Sequence, residues 1–359
     1  MPSPPDVAVY IGRFQPFHAG HLSLLKQALA LAPRCIVVLG SSFQARTPKN
    51  PWSWQERAEM IRVAVPEEQR ERLGFLPLRD YYDEARWIAA VQRGVEALMR
   101  ESLGDRPADV ALLGHFKEAT SNYLRGFAGW RMVPMERAGP VDAVRLRDAL
   151  FAAEPGSLDA TLAALVDQAP RSTLAFLRAW SALPYLAGLA EEWRALKRYH
   201  AEWAHTPYPP VFVTVDAVLR CAGRVLLIRR GQSPGKGLLA VPGGFNDLRE
   251  TAYQSAVREL REETGLGLLD ITLRDCLRAV AVFDHPERSQ RGRTITHAHC
   301  FELSSPDLPE IHAADDAQAA DWVPIERIAS MEDQFHDDHF HMLDHFFGIT
   351  ADAASTVVP

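Results

Sequence analysis

The chain has 359 residues, 39 Lys and Arg against 46 Asp and Glu, a formal charge of -7, and 47% hydrophobic and 24% charged residues. This composition is ordinary for globular protein and supplies apolar material for two sizeable cores, so two or three domains are expected. The acidic balance argues against a general nucleic-acid binder, which shows a basic footprint, but a nucleotide needs only a few local cations and backbone N–H groups.

In chain order, Val7–Ile11 is a short apolar run, followed by the turn-like GRFQPFHAGH and a helical pattern through Leu22, Leu25 and Leu29. Cys35–Leu39 reads as a second strand, 56–65 and 87–99 as helices, and Val110–Leu113 as a buried strand ending at Gly114. Strands alternating with helices predict an α/β, doubly wound parallel sheet over residues 1–150. From 151 to 205 the apolar residues recur only at helical spacing, which predicts a helical extension. It stops at Thr-Pro-Tyr-Pro-Pro (206–210), where prolines end any helix. Beyond it, 211–219, 225–229, 276–283 and 294–303 read as strands and 250–263 and 338–347 as helices, a second domain over 206–350. Four scattered cysteines form no CxxC pair and read as reduced thiols. The N-terminus lacks a signal-peptide pattern and no apolar run is long enough to cross a membrane, so a cytoplasmic protein without membrane partners is expected.

The segment Gly12-Arg13-Phe14-Gln15-Pro16-Phe17-His18-Ala19-Gly20-His21 follows a strand and opens a helix. Backbone N–H groups at a helix start favour an anion, and glycine lets the chain approach phosphate. His18 and His21, three apart, can face that phosphate and stabilise charge in a transfer that needs no covalent nucleophile. This segment resembles the nucleotidyltransferase superfamily signature, which implies a Rossmann-like sheet and nucleotidyl transfer from ATP with release of pyrophosphate. Ala45-Arg46-Thr47-Pro48-Lys49-Asn50-Pro51 with Gln55-Glu56-Arg57, Arg79-Asp80 with Trp87, and Gly114-His115-Phe116-Lys117 resemble nicotinamide-nucleotide adenylyltransferases of the archaeal-like type. The resemblance implies nucleotide contacts at Gly12, Arg13, Phe14, Arg46, Arg57, Gly114 and Lys117. It also implies that Trp87 stacks on nicotinamide, that Asp80 contacts the same nucleotide, and that Arg147 grips phosphate. Val144 departs from it: a threonine is expected there, and valine has no hydroxyl to donate. Backbone N–H groups and Arg145 are the available substitutes.

In the second half, Gly244, five residues, Glu250, seven residues, Arg258-Glu259-Leu260, one residue, Glu262-Glu263, one residue and Gly265-Leu266 form a fixed pattern. On a helix Glu259 lies three from Glu262 and four from Glu263, which puts the carboxylates on one face. Ala252, Ala256 and Leu260 mark a separate apolar face, and Gly265 suits a left-handed helix stop. Clustered hard oxygens suit Mg2+, with Mn2+ as the alternative, and such a metal serves phosphoryl chemistry. The run resembles the Nudix box at every defining position, which implies an α/β/α sandwich that hydrolyses a nucleoside diphosphate linked to another group. By matching position Glu259, Glu262 and Glu263 would ligate metal, Gly244 would offer its carbonyl, Arg258 would orient the carboxylates, and Glu250 would support them. The general base is open between Glu259 and the loop acids Asp315 and Asp316.

Arg288, Arg291 and Arg293, with the stretch 226–245, resemble the ADP-ribose pyrophosphatase branch, and Arg288 and Arg293 are expected to bind that substrate. Across nearly its whole length the chain resembles bifunctional nicotinamide-nucleotide adenylyltransferase/Nudix ADP-ribose hydrolases. The implied partners are small molecules: ATP, nicotinamide mononucleotide and ADP-ribose. A homo-oligomer is compatible with the sequence. The alternative keeps both folds but gives the Nudix half NADH or a related substrate, beside a weakened or ligand-sensing first domain. No basic recognition helix follows residue 305, and the His-rich stretch 333–345 reads as a polar helix end in preference to a metal site.

Overall fold

A computed structural model describes residues 3–114, 124–135, 141–154 and 156–351. The chain divides into two compact units, one within Met1–Ala190 and one within Glu191–Ala353. The first contains β1 (Val7–Gly12), α1 (Ala19–Leu31), β2 (Arg34–Leu39), α2 (Trp54–Arg62), α3 (Glu67–Arg70), β3 (Leu73–Pro77), α4 (Glu84–Leu103), β4 (Val110–Gly114), β5 (Arg131–Pro134), α5 (Ala143–Ala152), α6 (Leu158–Ala163) and α7 (Arg171–Trp180). Helix α8 (Tyr185–Trp203) begins in the first unit and ends in the second.

The first sheet is parallel throughout, in the order β3-β2-β1-β4-β5. Its strands are apolar on both faces because both are covered. Val7, Val9, Ile36, Val38, Val110 and Leu112 join one core cluster with α4, while Ala8, Val37 and Ala111, facing the other way, are equally inaccessible. The doubly wound sheet expected from the strand–helix alternation is therefore present. Strands β3 and β5 escaped the sequence reading because LGFLP and RMVP are short and carry proline.

The second unit holds β6 (Val211–Cys221), β7 (Arg224–Arg230), β8 (Leu239–Ala240), β9 (Gly243–Phe245), α9 (Ala252–Thr264), α10 (Asp270–Cys276), β10 (Leu277–Phe283), β11 (Arg293–Leu303), β12 (Ala317–Pro324), α11 (Ile325–Ile328), a 3-10 turn (Ala329–Gln334) and α12 (His339–Phe347). The sheet runs β10-β11-β6-β7-β12, with β9 beside β6 and β8 beside β7. It is mixed, since β11 and β6 are parallel and the other pairs antiparallel. Strand alternation sorts its side chains into two layers. Ala217, Leu219, Leu226 and Phe301 meet Val257 and Leu260 of α9, whereas Val218, Val225, Leu227 and Cys300 meet Phe340 and Leu343 of α12. This is the expected α/β/α sandwich. Phe340 is only 2% exposed. Truncating it in Phe340→Ala is expected to destabilise the second unit by ~3–5 kcal/mol, read as a lowered urea midpoint with the first unit's transition unmoved.

Two candidate active sites

In the first sheet the chain fills β2 and β3 on one side of β1, and β4 and β5 on the other. The carboxyl ends of β1 and β4 therefore flank a topological switch point, where open α/β sheets bind ligands. The loop after β1 lies there, and so does Gly114 at the end of β4. Lys117, His115 and Phe116 fall outside the described residues.

His18 is the N-cap of α1, and the two histidines cap each other. The His21 N–H donates to Nδ1 of His18 and the His18 N–H to Nδ1 of His21, both at 3.3 Å. The rings stack with centroids 3.5 Å apart and planes 18° apart. An Nδ1 that accepts a hydrogen bond carries no proton, so each neutral ring bears its N–H at Nε2. The His-x-x-His spacing thus produces two parallel imidazoles with defined donors. Arg147 of α5 donates to the Gln15 carbonyl and is pushed down to about 10 by burial and by the neighbouring charge of Arg13. Two guanidinium groups repelling one another beside this loop favour an anion there.

Other residues expected at the nucleotide make contacts that hold the loops. A Cβ on Gly12 would lie 2.8 Å from Cζ of Phe14. Phe14, 1% exposed and with φ of 52°, folds its ring over that glycine and into the core, edge-on to Tyr10. The fully buried guanidinium of Arg57 donates to the carbonyls of Arg13 (2.6 Å), Gly40 (2.8 Å) and Ser41 (3.2 Å) and braces two loops. Arg46 makes a bidentate pair with Glu56 at 2.6 and 3.0 Å. Glu56 also accepts the indole N–H of Trp180 at 3.1 Å, which ties α7 to α2, a contact invisible in the sequence. Asp80 accepts from the Ser41 N–H (3.1 Å), the Ser41 hydroxyl (2.6 Å) and Gln44 (3.0 Å), shaping the loop after β2. Trp87 packs edge-on against Phe127 and borders the core cluster. At α5 the Val144 N–H donates to the carboxylate of its cap Asp142 at 2.8 Å, so that donor is already engaged; the Val144 side chain is 47% exposed, and Arg145 is exposed.

In the second unit Thr251 and Gln254 box the start of α9, and Gly265 ends it in the left-handed region at φ 62°. Glu263, 4% exposed, accepts the Gly243 N–H at 2.9 Å. A Cβ on Gly243 would meet the Val215 carbonyl at 2.4 Å, and one on Gly244 would meet the Glu259 carboxylate at 2.4 Å. The two glycines let β9 run between β6 and the acidic face of α9. Arg258 donates to Glu250 (2.9 Å), Glu259 (2.8 Å) and Glu262 (2.9 Å), orienting the carboxylates. Ser255 further holds Glu250 at 2.7 Å.

Burial pushes Glu263 up to about 8, helped by the charges of Glu259 and Asp216, and burial raises Glu259 as well. Among the described residues no three His, Cys, Asp or Glu side chains form a ready-made metal cage, and Arg258 bonds both Glu259 and Glu262. The donor chemistry nevertheless fits a hard divalent cation. The oxygens lie on one helix face beside the Gly244 cradle, and a cation would relieve the raised carboxylates. Of the loop acids, Asp315 is close enough for its charge to raise Glu259, whereas Asp316 accepts from Gln232 at 2.6 Å.

The two arginines expected at the substrate both have partners within the protein, Arg288 buried and Arg293 partly exposed. Arg288, 6% exposed, is paired through both Nε (2.8 Å) and Nη2 (2.7 Å) to Asp338, and Arg293 donates to the Asp284 carbonyl. The His-rich stretch supplies Asp338 to that pair and buries His336 and His339, both held below the usual imidazole range by burial. Sequence reasoning missed Asp216. It stands on β6 opposite Gly243, 5% exposed, and accepts the Thr296 hydroxyl at 2.5 Å. Its signal was available: a lone acid inside the apolar strand VFVTVDAVL.

The two units thus define a nucleotidyltransferase-like fold and a Nudix fold in one chain. Family models agree: the cytidylyltransferase-like family matches residues 9–92 and the NUDIX domain residues 210–346. The chain is 31% identical over 192 residues to a nicotinamide/nicotinic acid mononucleotide adenylyltransferase of Acinetobacter baylyi, covering 53% of this chain and 94% of that protein. It is 30% identical over 138 residues to an ADP-ribose pyrophosphatase of Methanocaldococcus jannaschii, covering 38% of this chain and 73% of that protein. A solved bifunctional NMN adenylyltransferase/ADP ribose pyrophosphatase from Francisella tularensis, complexed with AMP and a Mn ion, superposes with a TM-score of 0.86 at 30% identity, covering 96% of this chain and 99% of that one. The chain belongs to the family of bifunctional NMN adenylyltransferase/ADP-ribose pyrophosphatases. No helix among the described residues is long and apolar enough to cross a membrane.

Glu263 supplies a pH test. Its folded value of about 8 exceeds the ordinary glutamate value of 4.5, so between these limits the native state holds a proton that the unfolded state has released. Metal-free stability should therefore fall as pH rises through that window. A cation that needs the carboxylate displaces the proton, so the melting-temperature gain from Mg2+ should be larger at about pH 8.5 than at about pH 6. Glu263→Gln should flatten both trends.

Proposed function

We propose that the first unit joins nicotinamide mononucleotide to the adenylyl group of ATP, giving NAD and pyrophosphate, and that the second hydrolyses ADP-ribose to AMP and ribose 5-phosphate. One observation carries the reading: a single chain presents paired imidazole donors at a switch point and, separately, a buried carboxylate face beside Gly243–Gly244.

In the first reaction a phosphate oxygen of the mononucleotide attacks the α-phosphorus of ATP, and the bond to the β-phosphate bridge breaks. His18 and His21 donate from Nε2 to phosphate oxygens as charge builds on the leaving pyrophosphate, and Arg147 and Arg13 add positive potential. Arg46, Arg57 and Asp80 keep the surrounding loops in place, and Trp87 offers a ring for nicotinamide. In the second reaction water attacks one phosphorus of the diphosphate and one P–O bond breaks. Mg2+ or Mn2+, when held by Glu259, Glu262, Glu263 and the Gly244 carbonyl, supplies charge neutralisation and acidifies water. Arg258 orients the carboxylates, and the carboxylate of Glu259 or Asp315 is our candidate to take the proton.

A weakened first activity is the second reading. It is favoured by the Asp142 carboxylate, which sits where α5 would otherwise present the Val144 N–H to phosphate. Two assays test these statements. With ATP, nicotinamide mononucleotide and Mg2+, the wild type should form NAD and His21→Ala should slow it about 10²–10³-fold. Val144→Thr should quicken it by up to about tenfold through one added bond to phosphate; no NAD from wild type or Val144→Thr would sink the synthetic assignment. With ADP-ribose, Glu262→Gln should lose about 10²-fold or more in kcat, and equal turnover would remove the metal-face mechanism.

A further inference from the structure

Strand β7 ends at Arg230 and β8 begins at Leu239, and the loop between them, 231–238, is fastened along its whole length. At its start the Gly231 N–H donates to the Asp316 carbonyl at 2.8 Å and the Gln232 amide to the Asp316 carboxylate at 2.6 Å. The approach there is close: a Cβ on Gly231 would lie 2.8 Å from that carbonyl. Further on, Nε of Arg230 donates to the Pro234 carbonyl at 3.0 Å. At the crown, the Gly235 N–H donates to Oε1 of Glu192 at 2.7 Å. Gly235 is buried with φ of 81°, and a Cβ on it would fall 2.2 Å from Nδ1 of His336. The crown is therefore wedged between His336 and α8.

Glu192 stands on α8, outside the NUDIX-matched residues 210–346 but inside the second compact unit. Burial and the charge of Asp337 hold its carboxyl above the usual carboxylate range, against the opposing pull of the Gly235 N–H. An acid kept at such a cost is explained by the bond it makes, and a hydrogen bond to a charged acceptor is roughly twice as strong as a neutral one.

The other end of the loop reaches the metal face. Asp316 follows Asp315, whose charge raises Glu259 and whose backbone lies in the left-handed region at φ 50°. A non-glycine residue keeps that conformation only where its surroundings impose it. Arg230, at the base of the loop, acts by its charge on Glu192 and on Glu263 alike. The loop thus runs from an acid on α8 to the turn that carries a candidate proton acceptor.

We infer that Glu192 is a positioning residue of the second centre: by accepting the Gly235 N–H it anchors loop 231–238, and the loop, through Gly231 and Gln232, sets the place of the Asp315–Asp316 turn beside Glu259. The inference rests on the reading of this site as an ADP-ribose hydrolase in which Asp315 serves the reaction. Glu192 acts only through the loop and touches no substrate.

The test uses the full chain with Mg2+ and ADP-ribose. Glu192→Ala removes the acceptor, and kcat should fall about tenfold or more while KM stays within about threefold, because displacing a reacting group by ~1 Å costs up to about 10²-fold. Glu192→Gln keeps an amide oxygen for the Gly235 N–H and should recover kcat to within about threefold. In an Asp315→Asn background the loss from Glu192→Ala should shrink to about twofold or less, since both changes act through one turn. An unchanged kcat in Glu192→Ala, an equal loss in the Ala and Gln variants, or an undiminished loss on top of Asp315→Asn overturns the inference. Hydrogen exchange tests the anchor without turnover. Amides of 231–238 and 314–318 should exchange roughly tenfold faster in Glu192→Ala and near the wild-type rate in Glu192→Gln. Equal protection in all three proteins overturns the anchoring. Should the wild type leave ADP-ribose intact, the reading of the reaction falls by itself, and the exchange comparison alone decides whether Glu192 holds the loop.

Discussion

A carboxylate buried beside a backbone that solvates it only in part governs the second unit. Glu263 has one main-chain donor, the Gly243 N–H, for a charge that burial disfavours. That single bond brings β9 close to α9, where Gly244 has no room for a Cβ beside the Glu259 carboxylate, while β6 leaves none for Gly243. The approach is possible because α9 lies on the face of β6 that carries Ala217 and Leu219, against Val257 and Leu260. Apolar packing therefore holds the acids together at an electrostatic cost, and that cost is what makes the site receptive to a cation.

The first unit solves a different problem with neutral groups. Each of its histidine rings accepts the other's main-chain N–H, and Phe14 and Phe17 pack against His21. What distant residues provide is the loop on which the pair stands. Arg57 gathers carbonyls from the ends of β1 and β2, and Gln15 clamps Trp52 through both of its amide atoms at 2.9 and 3.1 Å. A charged side chain wholly inside a protein is tolerated when every donor finds an oxygen, and these loops present such oxygens at the switch point.

The arginines show where local reasoning stops. Their planar cations around a turn pointed to an anionic ligand, and three of them lie within six residues of one another. The fold gives Arg288 a partner fifty positions away, in Asp338, and gives Arg293 a carbonyl at Asp284. Arg291 is left over an aromatic ring with an unused donor. Residue type announced the chemistry of the segment, but the assignment of roles within it depended on which oxygens the rest of the chain brought near.

Relations between residues a few positions apart were legible in the sequence. They include the His18–His21 pair, the face shared by Glu259, Glu262 and Glu263, the Arg258 fork, the Gly265 stop and the alternation that yields a parallel sheet. Helix and strand periods fix such geometry without reference to anything else. Relations across tens of residues were not legible: Phe14 over Gly12 needed a left-handed turn, Trp180 reached Glu56 across 124 positions, and Asp216 met Gly243 only through strand register. These depend on how layers dock and which buried donor meets which acceptor, and so the tertiary structure alone decided which of the sequence's polar residues are bonded to distant parts of the chain.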